Sequence, residues 1–450
     1  MQKSFNTVIA ILAAFAAAGG ALAQATPAEP PPSVFGGVTV GPLGIGGQAN
    51  FVLQGHGDFR SPYEGANSLR AQSERALSRV LTLYTTFRLS NDSELVVDAE
   101  SAGGKGIGNA LGVAGFTNLD VVRNPTLGSA PYLARAEFHA VVPLGSATED
   151  VARGPLSSLT TIPTRRVDVR VGKLSTADSF DLNSVGSDSH LQFLNWAIDN
   201  NGAFDYAADT RGYTLGAVAE YHVPLWSVRA GLMLMPAVAN GIKLDHDLAH
   251  ARGENVEIEL RPQFVADRVT TARVLLFRNL ARMGSYREAI ADRGSAPPDI
   301  TESRRRGRVK YGAGLNAEQE LTAQLRAFAR FGWNDGRNES FAYTEVDRTA
   351  EVGFDLKPGD RRPLDKIGVA VVANRISAVH RDYLATGGLG FLIGDGALRY
   401  GPERIVEAYY TAYVGRGVYL SLDVQDVHNP GYNRDRGPAL IPAARLHVDF

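Results

Sequence analysis

The chain has 450 residues, with 46 basic and 48 acidic side chains and a formal charge of −2. That balance argues against a nucleic-acid partner, which would favour a basic face. Cysteine is absent, which excludes a disulfide scaffold and a thiolate metal site, so backbone pairing and packing must hold the fold.

The opening stretch MQKSFNTVIAILAAFAAAGGALAQ has one cation, Lys3, then an apolar run from Val8 to Ala18 and the small-residue site Ala21-Leu22-Ala23. This is the layout of a signal peptide over residues 1–23, cleaved after Ala23. The run is well short of the ~20 residues that a spanning helix needs. Removing residues 1–23 takes away only Lys3, which leaves 427 residues with 45 basic and 48 acidic side chains. Residues 24–48 form a Pro/Gly-rich N-terminal segment, in which ATPAEPPPS, residues 25–33, reads as a disordered tether. No other stretch of eighteen or more apolar residues occurs, so no transmembrane helix is expected. Residues 49–450 read as one domain of a different kind.

Period-2 alternation runs through that domain. In ANFVLQGHGDF, Phe51, Leu53 and Phe59 oppose Gln54, His56 and Asp58. In LTLYTTFRLS, Leu81, Leu83, Phe87 and Leu89 oppose Thr82, Tyr84, Thr86 and Arg88. Residues 101–131 are glycine-rich and predict an outer loop. LARAEFHAVV then sets Arg135, Glu137 and His139 against Ala136, Phe138 and Ala140, and RVDVRVGKL sets Arg166, Asp168 and Arg170 against Val167, Val169 and Val171.

Residues 175–213 resist a strand reading. A loop this long inside a compact protein is functional or disordered. Its aromatics Phe180, Phe193, Trp196, Phe204 and Tyr206, among many aspartates, argue against disorder. HLQFLNWAI predicts a short helix within it. Folded into a lumen, such a loop narrows it. Aromatic faces there stack on the C–H faces of sugar rings while Asp and Arg bond the hydroxyls.

Beyond the loop, ENVEIELRP opposes Val256, Ile258 and Leu260 to Asn255, Glu257, Glu259 and Arg261. LTAQLRAFARFGW predicts one long strand, with Leu321, Ala323, Leu325, Ala327, Ala329, Phe331 and Trp333 opposite Thr322, Gln324, Arg326 and Arg330. GVYLSLDVQ opposes Val418, Leu420, Leu422 and Val424 to Tyr419, Ser421, Asp423 and Gln425. The terminal PAARLHVDF places Ala444, Leu446, Val448 and Phe450 opposite Arg445, His447 and Asp449.

A soluble sandwich would bury the apolar face and pack it to interior density with large side chains. Here that face is often only Ala and Val, which lipid tails fill around without leaving voids. Strands of about 9–11 residues also suit a tilted bilayer crossing better than the ~5–6 of globular sheets. The expected fold is therefore all-β, a transmembrane antiparallel barrel of about 16 strands, with 18 as the alternative, long outer loops and an inward-folded constriction loop. Turn signals such as SNDSE, NDGRNE, KPGDRRP and NPGYNRDRGP separate the strands. The strand ending in Phe450 closes the barrel against the first and offers a signal to the barrel assembly machinery.

Seven lysines stand against thirty-nine arginines, and the guanidinium fork suits fixed-geometry contacts to hydroxyls and carboxylates. By alternation alone, Arg135, Glu137, Arg166, Asp168, Arg170, Arg326 and Arg330 are expected in the lumen.

Other motifs carry little. HRDYLATG at His380-Arg381-Asp382 imitates a kinase catalytic loop, but Gly387 stands where that loop needs Asn. GSDSH, with Ser187, Asp188, Ser189 and His190, lacks a nucleophile elbow. GKGIGNALG lacks the strand–turn–helix context of a dinucleotide site. Nine histidines show no metal-ligand spacing. No catalytic residue, metal or cofactor is expected. The basic run Arg304, Arg305, Arg306 and Arg308 reads as a solvated loop that could meet lipopolysaccharide phosphates if it faces outward.

Three phrases, LNWAIDNNGAFDYAADTRGYTLGAVAEY, AVHRDYLATGGLGFLIGDGALRYGPERIVEAYY and the closing NPGYNRDRGPALIPAARLHVDF, resemble the carbohydrate-selective porin family of bacterial outer membranes, the OprB type. The last is similar to that family's final hairpin, with Asn429-Pro430, Asp435-Arg436-Gly437-Pro438 and Arg445 to Phe450. The resemblance implies a sixteen-stranded barrel that admits sugars by passive diffusion through a pore narrowed by inward loops. Trp196, Asp199, Tyr206, Asp209, Arg211, Glu407, Tyr409 and Tyr410 fall in the matching phrases, and the family lines its passage with such arginine, acidic and aromatic residues. The acidic GENVEIELRP and the basic ESRRRGRVK depart from the family pattern and leave an anionic saccharide or another organic anion open.

The sequence thus predicts a non-enzymatic porin of the Gram-negative outer membrane, exported through the periplasm. Its partners would be small sugars or other hydrophilic solutes and the surrounding lipid, and self-association into a homo-oligomer is compatible with it. A polysaccharide export barrel, an anion-preferring general porin and a barrel hydrolase are the alternatives.

Overall fold

The computed structural model describes residues 33–34, 38–122, 127–265, 268–359 and 361–450. The expected signal peptide lies outside them. Sixteen antiparallel strands form the barrel wall. They are β1 Leu43–His56, β2 Glu74–Arg88, β3 Ser93–Gly104, β4 Tyr132–Pro143, β5 Arg166–Leu174, β6 Thr214–Val223, β7 Trp226–Leu234 and β8 Arg252–Leu260. The second half comprises β9 Thr270–Met283, β10 Arg305–Glu320, β11 Leu325–Asn334, β12 Arg348–Leu356, β13 Lys366–Arg375, β14 Glu403–Gly415, β15 Val418–His428 and β16 Ala439–Asp449. Each pairs with its neighbour in sequence, and β16 closes on β1 from Ala443↔Gln54 to Asp449↔Gln48. A three-residue strand, Val38–Val40, folds back on β1. The wall thus starts at Leu43, within the Pro/Gly-rich segment 24–48, while residues 25–32 of the expected tether lie outside the described residues.

The polarity is inverted relative to a soluble sheet. On β15, Leu420 and Leu422 are 50% and 68% exposed on the outer face, while Ser421, Asp423 and Gln425 are buried within. That pattern is what a lipid-facing band around a polar interior requires. Glycines seat inward aromatics: a Cβ on Gly353 would meet the Phe328 ring at 2.2 Å, and one on Gly368 the Tyr409 ring at 2.2 Å.

One barrel end carries seven connections and both ends of the wall, the other eight longer loops. Short turns mark the periplasmic end and long loops the extracellular end of bacterial barrels. The β4–β5 connection is an exception at the short end, carrying a small hairpin of Thr148–Asp150 and Thr161–Pro163.

Two expectations change. The long strand expected over residues 321–333 is divided, because residues 321–324 are the turn between β10 and β11, closed by Leu321 and Thr322 N–H groups donating to the Leu325 carbonyl. The glycine-rich 101–131 segment leaves β3 at the loop-bearing end but turns inward, burying Ile107, Val113 and Phe116 completely. Residues 123–126 of it lie outside the described residues. The helix expected in HLQFLNWAI is a single turn, α1 Trp196–Asp199, capped by the Asn195 side chain accepting from Ala197 N–H. Two further helices, α2 Tyr286–Asp292 and α3 Ala378–Ala385, sit in the long loops and contact each other.

Candidate functional site

The loop between β5 and β6, residues 175–213, lies inside the barrel, held by side chains of the wall. Arg330 on β11 is fully buried, ion-paired with Glu351 at 2.9 Å and Asp181 at 3.2 Å. It also donates to the Ile198 carbonyl at 2.7 Å and the Ser187 hydroxyl at 2.6 Å. On β14, Glu407 accepts the Leu194 and Asn195 N–H groups at 2.5 and 3.1 Å. On β16, Arg445 donates to the Ser189 and Gln192 carbonyls at 2.6 and 2.9 Å. Satisfying loop backbone with charged wall groups is what allows irregular chain to be buried at all.

Rings complete the attachment. Phe193 meets Tyr409 edge-on at 4.9 Å, and Trp196 stacks on Tyr343 at 5.4 Å while its indole N–H donates to the Asn118 carbonyl. The second inward segment is anchored in the same way. Glu403, four residues before Glu407 on the same face of β14, accepts N–H groups of Ala114, Gly115 and Gly431 at 2.9–3.0 Å.

Pinned also to β8, where Glu257 accepts the Asp181 N–H at 2.8 Å, the loop leaves a cavity of about 440 Å³ on the side of β2 to β4. Its wall side carries Glu100, Tyr132 and Arg135. Glu100 accepts from the Tyr213 hydroxyl at 3.0 Å and from the Tyr132 hydroxyl. The Arg211 guanidinium lies 3.7 Å above the Tyr132 ring, and Arg135 is held between Asp98 at 3.0 Å and Asp178 at 2.7 Å. The loop side presents Asp188, His190, Trp196, Asp199 and Tyr206. Leu156, from the β4–β5 connection, reaches the same space, its carbonyl accepting from Arg170 at 3.2 Å.

Six carboxylates, of Glu100, Asp120, Asp178, Asp188, Asp199 and Asp209, line the cavity against two arginines and one histidine. Asp199, on the loop rather than on a spanning strand, has its carboxyl pushed up to about 8 by burial. Carboxylates and arginines accept from and donate to hydroxyls, while Trp196, Tyr132, Tyr206 and Tyr213 offer ring faces. Among the described residues no group of three His, Asp or Glu is placed to hold a metal ion.

The model of the carbohydrate-selective porin, OprB family, matches residues 66–450. The chain belongs to that family. The high-pH structure of Pseudomonas putida OprB is similar to this porin with a TM-score of 0.67 at 16% identity, over 91% of this chain and 94% of that one. The low-pH structure of the same protein gives 0.49 at 14% identity, over 91% and 93%. The outer membrane channel DcaP of Acinetobacter baumannii gives 0.49 at 9% identity, over 91% and 97%. A search of curated protein sequences finds no match.

Of the residues expected in the passage of this porin, Arg135, Trp196, Asp199, Tyr206, Asp209 and Arg211 line the one cavity. The others, Tyr410 apart, face inward but are taken up in contacts away from it. Glu137 pairs with Arg170 at 2.6 Å, and Asp168 lies 3.2 Å from His139. Arg166 pairs with Glu149 at 3.0 Å near the short-turn end, and Arg326 with Asp355. Arg330, Glu407 and Tyr409 lie behind the loop, which they hold. Tyr410 points the other way, 40% exposed on the lipid face, its hydroxyl donating to Asp365 at 2.5 Å.

The reading of the sequence missed Glu100, Tyr132 and Tyr213. Glu100 stands on the polar face of ELVVDAESAGG, an alternating strand like the others, so the signal was present. Tyr132 opens a strand and Tyr213 closes the loop, positions at which alternation says nothing about direction.

Proposed function

We propose that solutes cross this porin through the cavity between the 175–213 loop and the β2–β4 wall, and that neutral sugars are what it selects. The barrel is an outer-membrane channel of a sugar-porin family and passes small hydrophilic solutes down their gradient. The observation that carries the route is the convergence of Glu100, Arg135, Arg211 and the rings of Tyr132, Tyr213 and Trp196 on one cavity. A cavity of about 440 Å³ lies in the range of small-molecule sites. Ring faces and alternating donors and acceptors replace water around a pyranose, weakly enough for release.

The surplus of carboxylates argues against an anionic saccharide, since like charge would be repelled along a low-dielectric passage. No reaction is assigned. Residues 1–23 direct the chain out of the cytoplasm, and the terminal strand with Phe450 serves barrel assembly in this reading.

Single-channel recording in planar bilayers tests the route. Sugar should reduce conductance in the natural protein, and Trp196→Ala or Arg211→Ala should weaken that block. Block unchanged in both variants would remove the loop from the passage.

A further inference from the structure

The basic run expected to meet lipid phosphates is largely neutralised. Arg304 pairs with Glu339 at 2.8 Å, Arg306 with Asp245 at 3.2 Å, and Arg305 and Arg308 both with Glu288, at 3.2 and 2.5 Å. Two strands further round the wall the situation is different. Arg348 opens β12, Arg375 closes β13 and Arg404 lies second in β14, each exposed and each on the lipid-facing side of its strand.

These three are neighbours. Arg348 is the direct cross-strand partner of Arg375, and Arg404 is opposite Ala373, one diagonal step from Arg375. Among the described residues none of the three forms an ion pair or a side-chain hydrogen bond. Like charges directly opposite one another destabilise a sheet unless a counter-charge joins them. The row also has a fixed height. It stands at the loop-bearing end, with Trp333 paired to Arg348 on one side. Directly beneath it the same faces carry Val352 and Phe354, Val369 and Val371, and Val406, all exposed.

We propose that Arg348, Arg375 and Arg404 form a binding row for the phosphates of outer-leaflet lipid headgroups. The guanidinium forks take phosphate oxygens in pairs, and the aliphatic surface below takes the acyl chains of the same lipid. Arginine stems long enough to reach the headgroup layer while their bases lie in the apolar band suit that position. A free anion would have no use for the band beneath. The proposal rests on the outer-membrane reading, which places the long loops outward.

The test uses the full barrel in nanodiscs containing either bisphosphorylated lipid A or its dephosphorylated form. Lipid retained through detergent exchange is counted by native mass spectrometry for the natural protein, Arg348→Gln/Arg375→Gln/Arg404→Gln and the corresponding triple lysine variant. The natural protein should retain the phosphorylated form preferentially. The glutamine variant should bind it on the order of a hundredfold more weakly, at roughly one cation's worth of headgroup attraction per arginine, and the lysine variant should fall between. Unchanged sugar block in the glutamine variant shows an intact channel, so loss of lipid and loss of the porin reading are separable. If the triple variant does not assemble, Arg375→Gln alone serves, with a smaller loss in the same direction. Equal retention of both lipid forms, equal retention by the glutamine variant, or displacement of the lipid by inorganic phosphate at matched concentration would each overturn the proposal.

Discussion

The Arg330 guanidinium, on the wall strand β11, donates a 2.7 Å hydrogen bond to the carbonyl of Ile198 in the inward loop. The same group lies between Asp181 of that loop and Glu351 of the next strand and pairs with both. One buried cation therefore ties the position of the inward loop to the wall.

Replacing Arg330 with Met leaves Asp181 and Glu351 without their partner in a space closed to water. Breaking a buried pair in this way costs about 3–5 kcal/mol. The barrel has many other strand pairings to hold it, so the cost should appear as a loosened loop. Single-channel conductance should rise and become noisier, with weaker sugar block. Conductance equal to that of the natural protein would show that the loop is held elsewhere.

Glu403→Ala acts on the second inward segment. It strands the N–H groups of Ala114, Gly115 and Gly431, at about 1–3 kcal/mol for each group left unpaired. Proteolysis of the folded barrel in detergent should then cleave within residues 105–122, where the natural protein resists. Equal resistance would contradict the anchoring role.

The carboxylates of the cavity other than Asp199 outnumber its two arginines and one histidine and predict a cation preference. Reversal potentials in a salt gradient measure it directly. Asp188→Asn should reduce the preference and leave the barrel folded, since Asp188 is partly exposed and its pair with Lys366 is a loose 3.6 Å. An anion preference in the natural protein would overturn the electrostatic reading of the passage.

That preference should also depend on pH. Burial raises the Asp199 carboxyl to about 8, so it is protonated in neutral solution and ionises as pH rises through that value. Cation selectivity should therefore grow across that step, and Asp199→Asn should remove the growth. The sign for stability is opposite. A carboxyl raised on folding stabilises the loop below its unfolded value, and that contribution is lost as pH climbs through the folded one. A selectivity that stays flat through this range would place Asp199 outside the ion path.

The barrel was legible because lipid on one side and water on the other impose a period of 2, as in Leu420, Leu422 and Val424 against Ser421, Asp423 and Gln425. The same regularity hid the turn at residues 321–324. A tight antiparallel connection keeps the parity of the flanking strands, so Leu321 and Leu325 read as one continuous face. The constriction loop showed itself through its aromatics. Its height and its anchors did not, because Glu407 and Arg330 look like any lumen-facing charge until the loop lies on them. The inward turn of the glycine-rich segment left even less trace. Its burial depends on Glu403, nearly three hundred residues further along the chain.

The passage itself can be probed most directly by thiol chemistry, for which a chain without cysteine is well suited. Arg211→Cys places one thiol in the cavity beside Tyr132. Addition of a charged methanethiosulfonate to an open channel should lower its conductance in a single step, and sugar in the bath should slow that step. Modification that proceeds to completion with conductance unaltered would mean that solutes travel by some other path.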